Sequence, residues 1–197
     1  RWQALLLLGL IATYRMSDTV MGVMANVFYI DQGFTKDQIA GVSKIFGLIM
    51  TLLGAGMGGL LIVRFGILPI LFIGGVCSAA TNLLFVMLAD MGPDLQMLIF
   101  TISLDNFSSG LATSAFVAYL SSLTNLKFSA TQYALLSSIM LLLPRLIGGY
   151  SGVMVEKFGY HNFFIITCLL GVPTLFLIAL HWFQESRRAR LSPSQED

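Results

Sequence analysis

Long apolar stretches follow one another along the whole chain, separated by a few polar or glycine-containing positions. Six of them lie at about 2–30, 39–63, 68–88, 97–124, 133–155 and 162–183. Each is long enough to cross a hydrocarbon core of roughly 30 Å as a helix, which takes about 20 residues. The alternating polarity that marks β-barrel segments, roughly 10 residues each, is absent. Short loops punctuate the runs: Asp31-Gln32-Gly33, Arg64-Phe65-Gly66, Met91-Gly92-Pro93-Asp94 and Phe158-Gly159. The pattern predicts an all-α membrane protein with six transmembrane helices over 1–183 and a disordered cytoplasmic tail over 184–197.

Composition strengthens that reading. Of 197 residues, 56% are hydrophobic and 11% are charged, against roughly 25% charged in a soluble domain. So few charges cannot cover a water-facing surface, which excludes a soluble enzyme and a disordered regulator. A net charge of +1 offers no basic stripe for nucleic acid. Cys77 and Cys168 both sit inside apolar runs, so neither a disulfide framework nor a metal knuckle is expected. The chain has no HExxH, Walker or GxSxG motif. Ser108-Ser109-Gly110 has no histidine at its depth to activate a nucleophile, since His161 and His181 lie at the ends of the last run. No enzyme, no metal and no cofactor are expected, and an ion gradient is left as the driving force.

Orientation follows from the basic residues. One side carries Arg1, Arg64, Lys127, Arg187, Arg188 and Arg190, and the other only Lys36 and Lys157. The positive-inside rule then places both termini in the cytoplasm. Residues 4–13 have the look of a signal-peptide core, but no small-residue cleavage site follows and the run continues through Arg15 and Asp18. The start reads as a cut inside a longer polypeptide.

The chain also repeats itself. Phe34, Thr35, Gln38 and Ala40 match Phe128, Ser129, Gln132 and Ala134 at an offset of 94, and Gly59, Arg64, Phe65 and Gly66 match Gly152, Lys157, Phe158 and Gly159 at 93. Three spans separate the copies, an odd number, so they lie with opposite polarity. A three-plus-three inverted repeat of this kind builds each six-helix half of a major facilitator transporter. The basic-Phe-Gly turns resemble that superfamily's loop signature, which makes Arg64, Gly66, Lys157 and Gly159 conformational-turn positions. Arg64 is expected to cap the second span and to cross to an acid on a neighbouring helix.

Five ionisable residues fall inside the spans: Arg15, Asp18, Lys44, Asp105 and Arg145. Each costs about 2.5–3.5 kcal/mol at a helix centre, so such residues face a cavity or a partner. Arg15, Asp18, Gly22, Asn26 and Tyr29 share one helical face, as do Thr101, Asp105, Ser108, Ala112 and Ala115. Asp18 and Asp105 are the expected proton-coupling groups. Arg15, Lys44 and Arg145, with Asn26, Asn106 and Ser109, are the expected substrate-binding groups. A salt bridge between Arg15 and Asp18, three apart, is the structural alternative for that pair, and pairing with Asp105 is the alternative for Arg145. Pro144 is expected to kink the fifth span. The third and sixth spans carry no charge and read as outer, lipid-facing helices, with Gly74, Gly75 and Gly171 serving helix packing.

Three stretches carry a closer resemblance: Tyr14-Arg-Met-Ser-Asp18, Gly41-Val-Ser-Lys44-Ile-Phe-Gly-Leu, and Thr113 to Leu120 followed by Phe128 to Ser137. They resemble the C-terminal half of bacterial muropeptide permeases of the AmpG type. The family pattern has Lys at the position of Arg15 and Glu at that of Asp105, departures that keep the charge. The resemblance implies a proton-coupled importer in the bacterial inner membrane, carrying anhydro-muropeptides from periplasm to cytoplasm. Its implied partners are the lipid bilayer, an N-terminal six-helix half and an anionic sugar-peptide substrate, with no nucleic acid. An acetyl-CoA or other organic-anion permease is the alternative within transport. A non-transporting scaffold or sensor is the alternative outside it.

Overall fold

The computed structural model describes residues 2–123 and 129–191, and these form helices without strands. In chain order they are α1 (Trp2–Thr13), α2 (Met16–Asp31), α3 (Lys36–Val42), α4 (Leu48–Phe65), α5 (Ile67–Met91), α6 (Leu95–Leu123), α7 (Ser129–Gly148), α8 (Ser151–Leu170) and α9 (Val172–Leu191). A π-helical turn, Ser43–Gly47, joins α3 to α4. Among the described residues, four helical segments are long and apolar enough to cross a membrane: Lys36–Phe65, Ile67–Met91, Thr131–Gly148 and Ser151–Arg187. The last is interrupted at Gly159, whose φ of +76° is left-handed. Gly66 ends α4 in the same way, at φ +87°. Only glycine takes that conformation without a steric penalty, so the two basic-Phe-Gly turns have one geometry.

α5 and α6 form the centre. α5 packs on α6, α8 and α9, while α4 packs on α6 and α7 on α1 and α2. One apolar cluster joins Leu10, Tyr14, Leu71, Phe116 and Ile178, and a second joins Phe28, Tyr29, Phe85 and Phe164. α4 meets α6 backbone to backbone through small residues, as helices in lipid commonly do. A Cβ on Gly54 would stand 2.0 Å from the Phe107 carbonyl oxygen, and one on Gly110 would stand 2.3 Å from that of Thr51. Gly74 and Gly171 are also close-packed, against the Ala112 backbone and the Ala79 side chain.

Several boundaries differ from the sequence reading. The first expected span is cut at Tyr14–Arg15, because Tyr14 turns inward and its hydroxyl donates toward the Leu71 and Ala112 carbonyls at 3.1 and 3.4 Å. The fifth carries Pro144 inside α7 and breaks later, at Gly149–Tyr150. A glycine pair, Gly148-Gly149, precedes that break, a usual place for a helix to give way. Phe183 is not the end of helix. α9 continues to Leu191, so the expected disordered tail is helical to that point, and 192–197 lie outside the described residues. α5 does show an exposed stripe, with Ile73, Val76, Leu83 and Met87 on it, yet its other face is buried. Its lack of charge reflects packing in protein as much as contact with lipid.

Candidate functional site

The break between α1 and α2 sets up the main polar site. Arg15 occupies the turn, with φ −95° and ψ 9°, and caps α2 without a side-chain bond to it. Its guanidinium is therefore free to project sideways. Nη1 donates to Thr113 Oγ1 of α6 at 2.9 Å and lies 3.6 Å from Asp18 Oδ2. The alternative Arg15–Asp18 pairing is present, and Arg15 also ties α2 to α6. Asp18 Oδ1 accepts a hydrogen bond from the Ser78 hydroxyl of α5.

Asp105 belongs to the same neighbourhood. Its Oδ1 lies 3.1 Å from the Thr81 hydroxyl of α5, which also reaches the Ser78 carbonyl at 2.9 Å. Asp18, Asp105 and Arg15 are within electrostatic reach of one another. Two carboxylates from different helices thus meet two hydroxyls one turn apart on α5, with a single guanidinium beside them. Beside this site, Asn82 Nδ2 donates to Ser17 Oγ at 2.7 Å, and Ser17 Oγ donates to the Thr167 carbonyl at 2.8 Å. These bonds join α5, α2 and α8.

The other expected residues do not gather at this point. Asn26 and Lys44 line a separate cavity of about 360 Å³ between α2 and the α3 segment. Arg145 is exposed on α7, lining a cavity of about 330 Å³ with Ser138 and Leu141, and it forms no ion pair among the described residues. The alternative pairing of Arg145 with Asp105 is therefore not found. Asn106 is engaged in packing: its Nδ2 donates to the Ile102 carbonyl at 2.8 Å, and its Oδ1 accepts from Thr51 at 3.1 Å. Ser109 lends its carbonyl to the Thr113 hydroxyl at 2.6 Å. The face shared by Arg15, Asp18, Gly22, Asn26 and Tyr29 is not uniform either, for Tyr29 is buried against Phe85 while Gly22 and Asn26 are exposed.

At the turns, the Arg64 guanidinium stands 5.4 Å from the Phe65 ring and the Lys157 ammonium 5.4 Å from the Phe158 ring. Arg64 does not cross to an acid among the described residues, because stacking on its own neighbour directs the side chain elsewhere. Near the other ends of α2 and α5, Tyr160 donates to Asp31 Oδ2 at 2.5 Å and His161 Nδ1 lies 2.8 Å from Asp90 Oδ1. Of the repeat positions, Phe128 lies outside the described residues, as do Arg1 and Lys127 among the basic residues that set orientation.

Sequence reasoning overlooked Ser78 and Thr81. Their signal was there: Thr81 and Asn82 follow Ser78 at three and four residues within an otherwise apolar run, the spacing of one helix face.

Residues 6–197 match the sequence profile of the Major Facilitator Superfamily. The chain is 37% identical over 165 residues to a Rickettsia conorii protein named "Putative transporter AmpG 4", covering 84% of this chain and 40% of that one. It is 33% identical over 174 residues to "Putative transporter AmpG 1" of Rickettsia felis, covering 88% and 40%. It is 31% identical over 190 residues to "Putative transporter AmpG 3" of Rickettsia prowazekii, covering 93% and 45%. The chain thus spans less than half the length of these relatives.

Proposed function

The chain belongs to the Major Facilitator Superfamily, a family of multi-pass membrane transporters rather than enzymes, and on that premise we propose that it forms the C-terminal half of a proton-coupled importer of anhydro-muropeptides in a bacterial inner membrane. In this reading an N-terminal six-helix half completes the cavity, both termini are cytoplasmic, and the proton gradient replaces any cofactor.

Packing supports the six-helix inverted repeat. The six expected spans correspond to α1–α2, α3–α4, α5, α6, α7 with the start of α8, and the rest of α8 with α9. Exchanging the first three with the last three carries the contact of α4 with α6 onto that of α7 with α1 and α2. It carries α5 against α6 onto α8 and α9 against α2 and α1, and it returns α5 against α8 and α9 to itself. The matched turns at Gly66 and Gly159 agree.

The observation that carries the transport mechanism is the meeting of Asp18 and Asp105 at the Ser78 and Thr81 hydroxyls. Two carboxylates held near one guanidinium give a site whose charge changes by one when a proton binds. Arg15 then has a different balance of partners in the loaded and unloaded states, which biases how α2 sits against α5 and α6. Lys44 and Arg145, without ion pairs among the described residues, are suited to the substrate's carboxylates; Arg145 offers a planar fork and Lys44 a mobile point charge. The relatives' AmpG names favour a muropeptide over acetyl-CoA.

Vesicles holding the full-length transporter, given an inward proton gradient and labelled anhydro-muropeptide or acetyl-CoA, test this. Accumulation of the muropeptide alone is expected. Accumulation of acetyl-CoA alone would replace the substrate, and accumulation of neither would overturn the reading.

A further inference from the structure

The cavity of about 360 Å³ between α2 and the α3 segment is lined by Asn26, Ile30, Lys36, Ile39, Ala40, Ser43 and Lys44. Helical spacing explains the set. Asn26 and Ile30 are four apart on α2, and Lys36, Ala40 and Lys44 recur at four on the opposing segment, so each wall presents one helix face. Lys44 lies within the π-helical turn Ser43–Gly47. That turn is pinned to α6, because Gly47 is buried where an added Cβ would stand 3.4 Å from Asn106 Nδ2, and Thr51 bonds both Gly47 and Asn106. Wide turns of this type are frequent at functional sites.

The charge of the cavity is unbalanced. Lys36 and Lys44 are both exposed, neither forms an ion pair among the described residues, and no acid is part of the lining. Asp37, beside Lys36 in sequence, is not on the wall. Eight residues of helical rise separate the two lysines by about 12 Å along the axis, a span that their flexible stems shorten.

We propose that this cavity is a two-point site for a molecule carrying two separated carboxylates, with Lys36 as the outer contact, Lys44 as the inner one, and Asn26 and Ser43 bonding the polar atoms between. The proposal deepens the importer reading and rests on it for what is transported. It adds Lys36 and Ser43 as specificity-determining residues. A monoanion satisfies one lysine and leaves the other unpaired, while a short dianion cannot reach both.

Thermal unfolding of the full-length transporter in detergent, titrated with azelate, malonate or hexanoate, tests the site without transport. Azelate is expected to protect at concentrations where malonate and hexanoate do not. Lys36→Gln and Lys44→Gln should each weaken azelate about fivefold, the size of a solvent-accessible ion pair, while Asp37→Asn leaves it unchanged. Equal protection by all three acids, or azelate affinity unmoved in both glutamine variants, overturns the proposal. Muropeptide accumulation by a protein that does not distinguish azelate would sink this site alone. Azelate binding without muropeptide uptake would instead sink the importer reading and keep the site.

Discussion

In the proposed coupling, Asp18 and Asp105 depend on more than depth in the membrane, because each is held by a hydroxyl from α5. Ser78→Ala and Thr81→Ala remove those donors and leave a partly buried acceptor short of a partner, which costs up to about 1–3 kcal/mol. Both variants should melt earlier than the parent, and their gradient-driven uptake should fall more than their exchange. Equal loss of both activities would mean that the hydroxyls only hold helices together. The charges of this site were legible in the sequence, since five ionisable residues stand out in apolar runs. The hydroxyls were not, because serine and threonine are cheap in a membrane helix when they bond a carbonyl, as Thr13, Thr51 and Thr167 do here. Asn106, next to Asp105 in sequence, has its amide engaged in the joint between α4 and α6.

At the scale of the element, glycines decide where helices approach and where they stop. Gly54→Ala would drive a methyl group into the Phe107 carbonyl and Gly110→Ala one into that of Thr51. Overpacking of this kind costs about 1–3 kcal/mol, whereas Gly56→Ala meets open space. Melting curves should separate the first two variants from the third; three equal curves would contradict the tight α4–α6 joint. At the turns, Gly66→Ala and Gly159→Ala both force alanine to positive φ with extended ψ, at about 1–3 kcal/mol. Similar losses at the two positions are expected from their shared geometry, and a loss at only one would speak against equivalent turns. The periodicity of the apolar runs located these elements but not their interruptions. The cut at Tyr14–Arg15 depends on Tyr14 finding carbonyls on α5 and α6, a tertiary contact that no local pattern announces. Pro144, expected to kink the span, lies inside α7, and the helix yields only at Gly149–Tyr150.

For the whole molecule, the least buried of the candidate spans are those of α4 and α7. They expose Leu52, Leu53, Leu60, Leu142 and Leu146, and the chain spans only 40–45% of the length of relatives it matches. In the proposed transporter these faces adjoin the N-terminal half. Orientation is open to direct measurement: with Cys77 and Cys168 replaced by alanine, Lys36→Cys should react with an impermeant thiol reagent in intact cells and Arg64→Cys only after permeabilisation. The reverse labelling would invert the topology. The central claim is that Asp18 and Asp105 couple the proton to the substrate. In proteoliposomes of the full-length transporter, Asp18→Asn and Asp105→Asn should abolish accumulation of labelled anhydro-muropeptide against its gradient while preserving exchange of external for internal substrate. If both variants still concentrate the substrate as the parent does, the claim is wrong.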